Sequence, residues 1–299
     1  MPARLFFGLE SLGIAQAFFG PVMQETVARL STAVWNPPWS APLIYNLVMQ
    51  LVANERKNRM RLLLVLFVLA SFASSASAAE PTYLYKAKLI QAAPGKLLDV
   101  IDLLKTAQAG YREAGDEQPL LMRHSQGDRW DLMNLIPMNN YVEYYSRERT
   151  AKRAQALKEL QTKLDELVAW QEDVFVYGPP LAELRKAFSS STFFHVEMFD
   201  SLAGKQSELF KEREMENAYL KALKRPENFI FVRDQGAAWD LFTLGAYRDL
   251  KHYAESAGIP ETEQEAAAKA AGFEAANRIG PYLRTLINSH HDTLAVSVK

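Results

Sequence analysis

Cysteine is absent from the 299 residues, which excludes disulfides, thiolate metal sites and a cysteine nucleophile. Histidine is scarce: there are five, at His124, His195, His252, His290 and His291. A Walker loop, a G-x-G-x-x-G turn, a G-x-S-x-G elbow and an H-E-x-x-H helix are all missing. Phosphate, dinucleotide, serine-hydrolase and zincin chemistries therefore have no support in the sequence. An excess of either charge is lacking too, with 34 basic against 35 acidic side chains. Removing residues 1–79, which hold 6 basic and 3 acidic groups, leaves 28 against 32, or −4. Such a surface does not attract polyanions, so no nucleic-acid partner is expected. With 48% hydrophobic and 23% charged residues, the chain is ordinary globular material with room for about two domains.

Within residues 60–79, Met60-Arg61 leads into L-L-L-V-L-F-V-L-A and then S-F-A-S-S-A-S-A-A. A short basic start, an apolar core and a small-residue tail make a secretory signal peptide, cleaved after Ala78 or Ala79. The apolar run falls well short of the roughly 20 residues needed to span a bilayer. Membrane contact is therefore expected only through the uncleaved signal segment, and the mature protein is expected in the periplasm or secreted. Residues 1–59 read as an extension produced by a start assigned too far upstream, the alternative being a genuine membrane-associated extension.

A repeat organises the remainder. Q-G-D-R-W-D-L-M-N-L at 126–135 returns as Q-G-A-A-W-D-L-F-T-L at 235–244. The same offset of 109 aligns Gly95-Lys96 with Gly204-Lys205, and Tyr85, Ala87 and Leu89 with Phe194, Val196 and Met198. A match at one fixed offset reads as a duplicated domain.

Each copy reads as strand, helix, strand, strand, helix, strand. In the first, 83–90 alternates with period 2, and Leu97, Ile101, Leu104 and Tyr111 recur at helical spacing to about 113. The runs 120–125 and 130–136 flank Gln126-Gly127 as a hairpin. Asn139 or Asn140 can cap a long helix with a Leu157, Leu160, Leu164 and Leu167 stripe ending near Trp170. A short strand follows at 174–177. The second copy places strands at 193–199, 229–232, 239–244 and 291–298 and helix at 203–223. Further helix over 246–289 is broken at Gly258-Ile259-Pro260, with ten extra residues near 255–265. The expected division is a first unit over 80–178, a linker over 179–191 and a second unit over 192–299.

The strands W-D-L-M-N-L-I, F-I-F-V and W-D-L-F-T-L are apolar almost throughout, which implies burial on both faces. Helices cover one face and the other unit's sheet the second. The expected fold is α+β: two tandem ferredoxin-like βαββαβ units forming a pseudo-dimeric α+β barrel.

On these features the chain resembles the dimeric α/β-barrel superfamily, which includes antibiotic-biosynthesis-type monooxygenases and related haem-degrading and stress-response domains. The resemblance spans about 82–177 and 192–298 and rests on the βαββαβ order, the Gly-Lys turn before the first helix and the Trp at the third strand. It implies ligands held between the helices and the sheet of a unit, and chemistry without a metal or flavin. Because that superfamily usually builds its barrel from two chains, fusion implies a monomer with internal pseudo-two-fold symmetry.

For chemistry, His195 and Glu197 share one face of a strand, and an imidazole beside a carboxylate is a candidate general base or a satisfied structural pair. Arg233 and His124 each share a face with an aspartate, Asp240 and Asp131, as a structural or a proton-transfer pair. Trp130 and Trp239 offer indoles for stacking or for packing. No metal is expected, since adjacent His290-His291 point to opposite sides and no carboxylate stands at ligand spacing. The expected pocket lies in the second unit, with His195, Glu197 and Arg233 as catalytic residues and Trp239, His252 and Tyr253 binding ligand. Trp130, His124 and Tyr144 are their counterparts in the first unit. The expected activity is that of a cofactor-independent monooxygenase or isomerase acting on a small aromatic or polycyclic molecule. The alternatives are a non-catalytic periplasmic binding or stress-associated protein and, more weakly, haem binding through His252.

Overall fold

The computed structural model describes residues 82–298. The signal-peptide reading of 60–79 and the extension at 1–59 lie outside the described residues. Eight strands, nine α-helices and two short 3₁₀ turns follow in order among them. The first half carries β1 (Tyr83–Ala92), α1 (Leu97–Glu113), β2 (Leu120–Gln126), β3 (Leu132–Asn139), α2 (Tyr141–Tyr144), α3 (Arg147–Ala156), α4 (Leu160–Leu167) and β4 (Val168–Gly178). After α5 (Leu181–Ser190) come β5 (Phe193–Ser201), α6 (Gln206–Ala222), β6 (Phe229–Gln235), β7 (Leu241–Tyr247), α7 (Leu250–Ala254), α8 (Glu261–Ala270), α9 (Ile279–Arg284) and β8 (Ile287–Ser297). The starts of α1 and α6, of β2 and β6, and of β3 and β7 are each 109 residues apart. Asn140 caps α2 by accepting the Glu143 amide, and Asp249, again 109 residues on, caps α7 by accepting the His252 amide.

The sheet is one closed barrel in the order β1-β3-β2-β8-β5-β7-β6-β4, and every neighbouring pair is antiparallel. The halves are stitched at two seams, β2 to β8 and β4 to β6, rather than merely stacked. Each seam sets the second strand of one half against the last strand of the other, so no edge is left unpaired. The recurring Gln-Gly turns sit on these seams. Gly127 has φ +121°, and a Cβ there would come 2.0 Å from the Asp292 carbonyl oxygen. Gly236 has φ +84°, with a Cβ 2.7 Å from the Asp173 carbonyl oxygen. Only glycine combines that backbone with so close an approach.

Period-2 alternation decides which side chains enter the barrel. Tyr85, Ala87 and Leu89 of β1 and Phe194, Val196 and Met198 of β5 point inward with Met122, Met133, Phe231 and Phe242. The Phe231 and Phe242 rings stack at 4.4 Å, and the interior is a packed core rather than a pore. The alternate residues Leu84, Lys86, Lys88 and Ile90 face outward under the helices, where Leu84 and Ile90 join apolar clusters with α1 and α4 residues such as Leu104 and Leu164.

Three expectations change. The 179–191 stretch, expected as a linker, carries α5, whose Leu181 and Leu184 join the barrel core, while Tyr85 Oη donates to the Pro179 carbonyl at 2.7 Å. The single long helix after β3 is three short ones, because α3 (R-E-R-T-A-K-R-A-Q-A) has no buried residue to hold it on one axis. Arg153 takes up the freed Tyr144 carbonyl at 2.6 Å. Trp170 and the residues from Val168 on belong to β4, which is longer than the expected 174–177 because β1 offers it a partner along its whole length.

Candidate functional site

The outward face of β1 and the underside of the helices leave a cleft of about 220 Å³ in the first half. Lys86, Lys88, Asn134 and Ile136 form its floor, Tyr111, Tyr144 and Tyr145 with Arg153 its aromatic side, and Leu104, Leu157, Leu160 and Leu164 its helical roof. Lys86 Nζ lies 3.2 Å from Asp173 Oδ2 and Lys88 Nζ 2.7 Å from Asp173 Oδ1. Lys88 also donates to Gln171 Oε1 at 3.1 Å. Burial pushes the Asp173 carboxyl up, but the two ammonium groups outweigh it and hold the group below the usual carboxylate range. Asn134 Oδ1 is buried without a hydrogen-bond partner. An orphaned acceptor of that kind costs about 1–3 kcal/mol unless a guest supplies a donor. Burial pushes Tyr144 up to about 12 and raises Tyr111 further, so both phenols stay protonated and can donate.

In the second half the matching space is filled. Position 86 becomes His195, 88 becomes Glu197, and 104 on the helix becomes Arg213. The Arg213 side chain is only 2% exposed. Its guanidinium pairs with Glu212 at 2.5 Å and Glu216 at 2.6 Å, reaches Glu197 at 3.5 Å and lies 4.7 Å over the Phe199 ring. Below it, His195 Nε2 is 2.9 Å from Asp292 Oδ1. Burial pushes Glu197 up to about 7; Arg213 opposes the shift, while Glu216 and Asp292 add to it. For His195, burial works against the imidazolium, but the Asp292 hydrogen bond and the Glu197 charge leave its pKa raised. The imidazole and carboxylate do share a face, and each is tied into a charged network rather than turned to an open cleft.

The remaining sequence candidates are spread apart. Arg233 Nη2 meets Asp240 Oδ1 at 2.6 Å, and Asp240 also accepts from the backbone and hydroxyl of Ser201. Burial raises the Asp240 carboxyl, but Ser201 and Arg233 bring it below its ordinary value. His124 forms no such side-chain pair: its Nε2 is buried without a partner, its ring lies 6.0 Å from Trp130, and Asp131 instead accepts the Ala92 amide. Trp130 is in the barrel core, and Trp239 packs against it. Tyr253 packs 5.5 Å from Phe193 and 5.6 Å from His195. His252 Nδ1 accepts the Arg248 amide at 3.2 Å. No histidine lines this cleft or a second groove of about 420 Å³ beside Leu120 and Phe188, so the residues do not fit a haem there. Of the nine candidates, Tyr144 lines the first of these two clefts, and the other eight line neither. The extra residues near 255–265 form a 3₁₀ turn at Glu255–Gly258 and the start of α8, where Tyr219 of α6 donates to Gln264 at 3.5 Å.

Lys86, Lys88 and Asn134, which line the cleft, are not among the candidates the sequence offers, although the strands that carry them are. The available signal was a pair of lysines two apart on the outward face of a strand otherwise buried on both sides. His290 does have carboxylates near it in the fold: its Nδ1 is 3.1 Å from Glu197 Oε1 and 3.2 Å from Asp292 Oδ2. One carboxylate comes from the neighbouring strand and the other from two residues along its own, and only the second is close in the sequence.

No family model matches the chain, and no curated protein matches it. Similar solved structures include an anthrone oxidase-like protein, 12% identical over 73% of this chain and 92% of that one with a TM-score of 0.49. A candidate monooxygenase from Lactobacillus acidophilus is 8% identical over 72% of this chain and 93% of its own, at 0.46. A chlorite dismutase mutant from Candidatus Nitrospira defluvii is 10% identical over 74% and 93%, at 0.44.

Proposed function

We propose that the first-half cleft binds a small planar aromatic molecule carrying an acidic oxygen, such as a phenolate or aryl carboxylate. The observation that carries this is the floor: two lysine ammonium groups beside an unsatisfied Asn134 carbonyl, under a roof of leucine and tyrosine. The two lysines share the single Asp173 carboxylate, so one net positive charge is left for the anion, while the aromatic walls take the ring and Asn134 Oδ1 accepts a hydroxyl proton. Two ammonium groups beside a phenol favour its phenolate, the electron-rich form that can undergo a proton shift or reduce dioxygen without a bound cofactor. The resulting reading is a cofactor-independent monooxygenase or isomerase. A non-catalytic binding protein is the second reading, favoured by a lining without Asp, Glu or His.

Titration with hydroxylated aryl carboxylates and hydroxyquinones, followed by tyrosine fluorescence and by turnover under air, tests both readings. Saturable binding weakened about tenfold or more in Lys86→Met and Lys88→Met supports the cleft. Binding without turnover selects the non-catalytic protein, and no binding by any anionic aromatic overturns the proposal.

We further propose that the two halves are tandem copies of one ferredoxin-like unit fused into a self-sufficient monomer, as the 109-residue spacing of elements and the two like seams suggest. The mature protein is proposed to start at Ala79 or Glu80 and to act in the periplasm or outside the cell. N-terminal sequencing of native material checks this, and recovery of residues 1–59 sinks it. Among the described residues no helix is long and apolar enough to cross a membrane.

A further inference from the structure

We propose that His195, Glu197, His290 and Asp292 form a binding site for one divalent first-row transition-metal ion on the outer face of the second half. The four come from paired antiparallel strands as two matched dyads, His195-x-Glu197 on β5 and His290-x-Asp292 on β8. Glu197 stands directly opposite Asp292 in the ladder, and Phe199 opposite His290. Directly opposed residues share a face, and residues two apart on one strand do too, so all four side chains converge. Donor atoms of His195, Glu197 and Asp292 lie within 4.8 Å of one another. His195 Nε2 is 2.9 Å from Asp292 Oδ1, and His290 Nδ1 is 3.1 Å from Glu197 Oε1. Ligands bound ~2.1 Å from an ion stand about 3–3.5 Å apart, so only small side-chain adjustments separate this arrangement from a coordination shell.

Two further observations point to a cation. His290 Nδ1 is sealed from solvent and makes no hydrogen bond, although carboxylate oxygens lie on two sides of it. The matching position in the first half shows what the second lacks. There Asp173, opposite Lys88 in the same way that Asp292 is opposite Glu197, receives two lysine ammonium groups. In the second half those lysines are replaced by His195 and Glu197, which removes two positive charges and adds a carboxylate. Arg213 restores the balance only in part: it reaches Glu197 at 3.5 Å, but its closest contacts, at 2.5 and 2.6 Å, are to Glu212 and Glu216. A divalent ion neutralises Glu197 and Asp292 together.

Two imidazoles with two carboxylates suit zinc, manganese, iron(II) or cobalt(II) rather than the all-oxygen shells of magnesium or calcium. Arg213, 3.5 Å from Glu197 Oε2, would orient the carboxylate from behind while Oε1 binds, the usual outer-shell arrangement. The Asp292 side chain is 51% exposed and provides the way in.

Untagged protein, treated with chelator and then dialysed, is titrated with zinc chloride by calorimetry and with cobalt(II) by visible absorption. One equivalent of zinc should bind, and cobalt should develop d–d bands that zinc abolishes. His195→Ala and Asp292→Asn should each weaken zinc binding at least tenfold. His291→Ala, on the same strand but 60% exposed and turned away, should leave it unchanged. Near-ultraviolet circular dichroism identifies any variant that fails to fold, and His290→Gln then replaces it. Absence of stoichiometric zinc binding and of cobalt bands in the wild-type chain, or binding that survives His195→Ala, His290→Gln and Asp292→Asn alike, overturns the site.

Discussion

Lys88 and Glu197 occupy the same place on β1 and β5, each directly opposite an aspartate in the ladder, Asp173 and Asp292. One substitution at that place reverses the sign of the space between sheet and helix. In the first half the strand is cationic and the helix above is apolar at Leu104; in the second the strand is anionic and the helix brings Arg213. The open cleft and the filled one follow from that exchange.

Asp173 gives the first expected outcome. Its folded-state pKa is depressed, so its contribution to stability is present above the ordinary carboxylate range and is lost as pH falls through the lower folded value. The carboxylate is more than a third exposed, so after allowance for solvent screening the contribution is about 1 kcal/mol. Asp173→Asn should lower stability by that amount at pH 7 and by little at pH 3. Urea midpoints at the two pH values check it, and an equal loss at both would show that shape rather than charge matters.

The Glu212 side chain is fully buried beside Arg213, and burial pushes its carboxyl up to about 6 in spite of that partner. An acid whose folded pKa is raised binds its proton more tightly folded than unfolded. The fold therefore loses stability as pH rises from the ordinary glutamate value of about 4.5 to about 6, by about 2 kcal/mol at the limit. In metal-free protein, Glu212→Gln should flatten the dependence of stability on pH between about 4.5 and about 6 relative to wild type. Identical slopes in the two proteins would refute it.

Much of the fold is legible because alternation and turn residues are local signals. The inward set Tyr85, Ala87 and Leu89 and its counterpart Phe194, Val196 and Met198 can be read from period 2 alone, and so can the Gln-Gly hairpins. The seams are not local: nothing near Gln126 says that its neighbour across the ladder is Leu294. The surroundings of the candidate residues are not local either. His195 and Glu197 look like chemistry in the sequence because titratable pairs draw the eye, whereas their setting is decided by Arg213 from another element. Lys86 and Lys88 look like a solvated face until the helices above them are in place. Arg233, read as a catalytic candidate, has its closest ionic partner in Asp240, whose other contacts to Ser201 lie on β5, again out of reach of spacing rules.

Gly127 tests the seam directly. A methyl group there would meet the Asp292 carbonyl oxygen at 2.0 Å, in backbone with φ +121°. Gly127→Ala should cost about 3 kcal/mol or more, combining backbone strain with displacement of β8. Gly95→Ala is the control: its φ is +77° but nothing lies within 4 Å of the added Cβ, so the loss should stay near 1 kcal/mol. Thermal unfolding of both variants decides the matter, and equal losses would mean that the seam can yield.

The two seams also set what a half can do alone. Expressed by itself, the segment 80–180 would expose the free edges of β2 and β4 together with an inward face carrying Tyr85, Leu89, Met122, Met133 and Val176. An apolar face of that size with open strand edges is a template for association. The segment should therefore aggregate or form a dimer in which β2 of one copy pairs with β4 of the other, reproducing both seams of the intact barrel. Adding the separately expressed segment 181–299 should convert it into a soluble one-to-one complex, because the true partners of those edges, β8 and β6, are restored. Sedimentation equilibrium of each half and of the mixture measures this, and a monodisperse, folded monomer of either half would contradict the closed barrel.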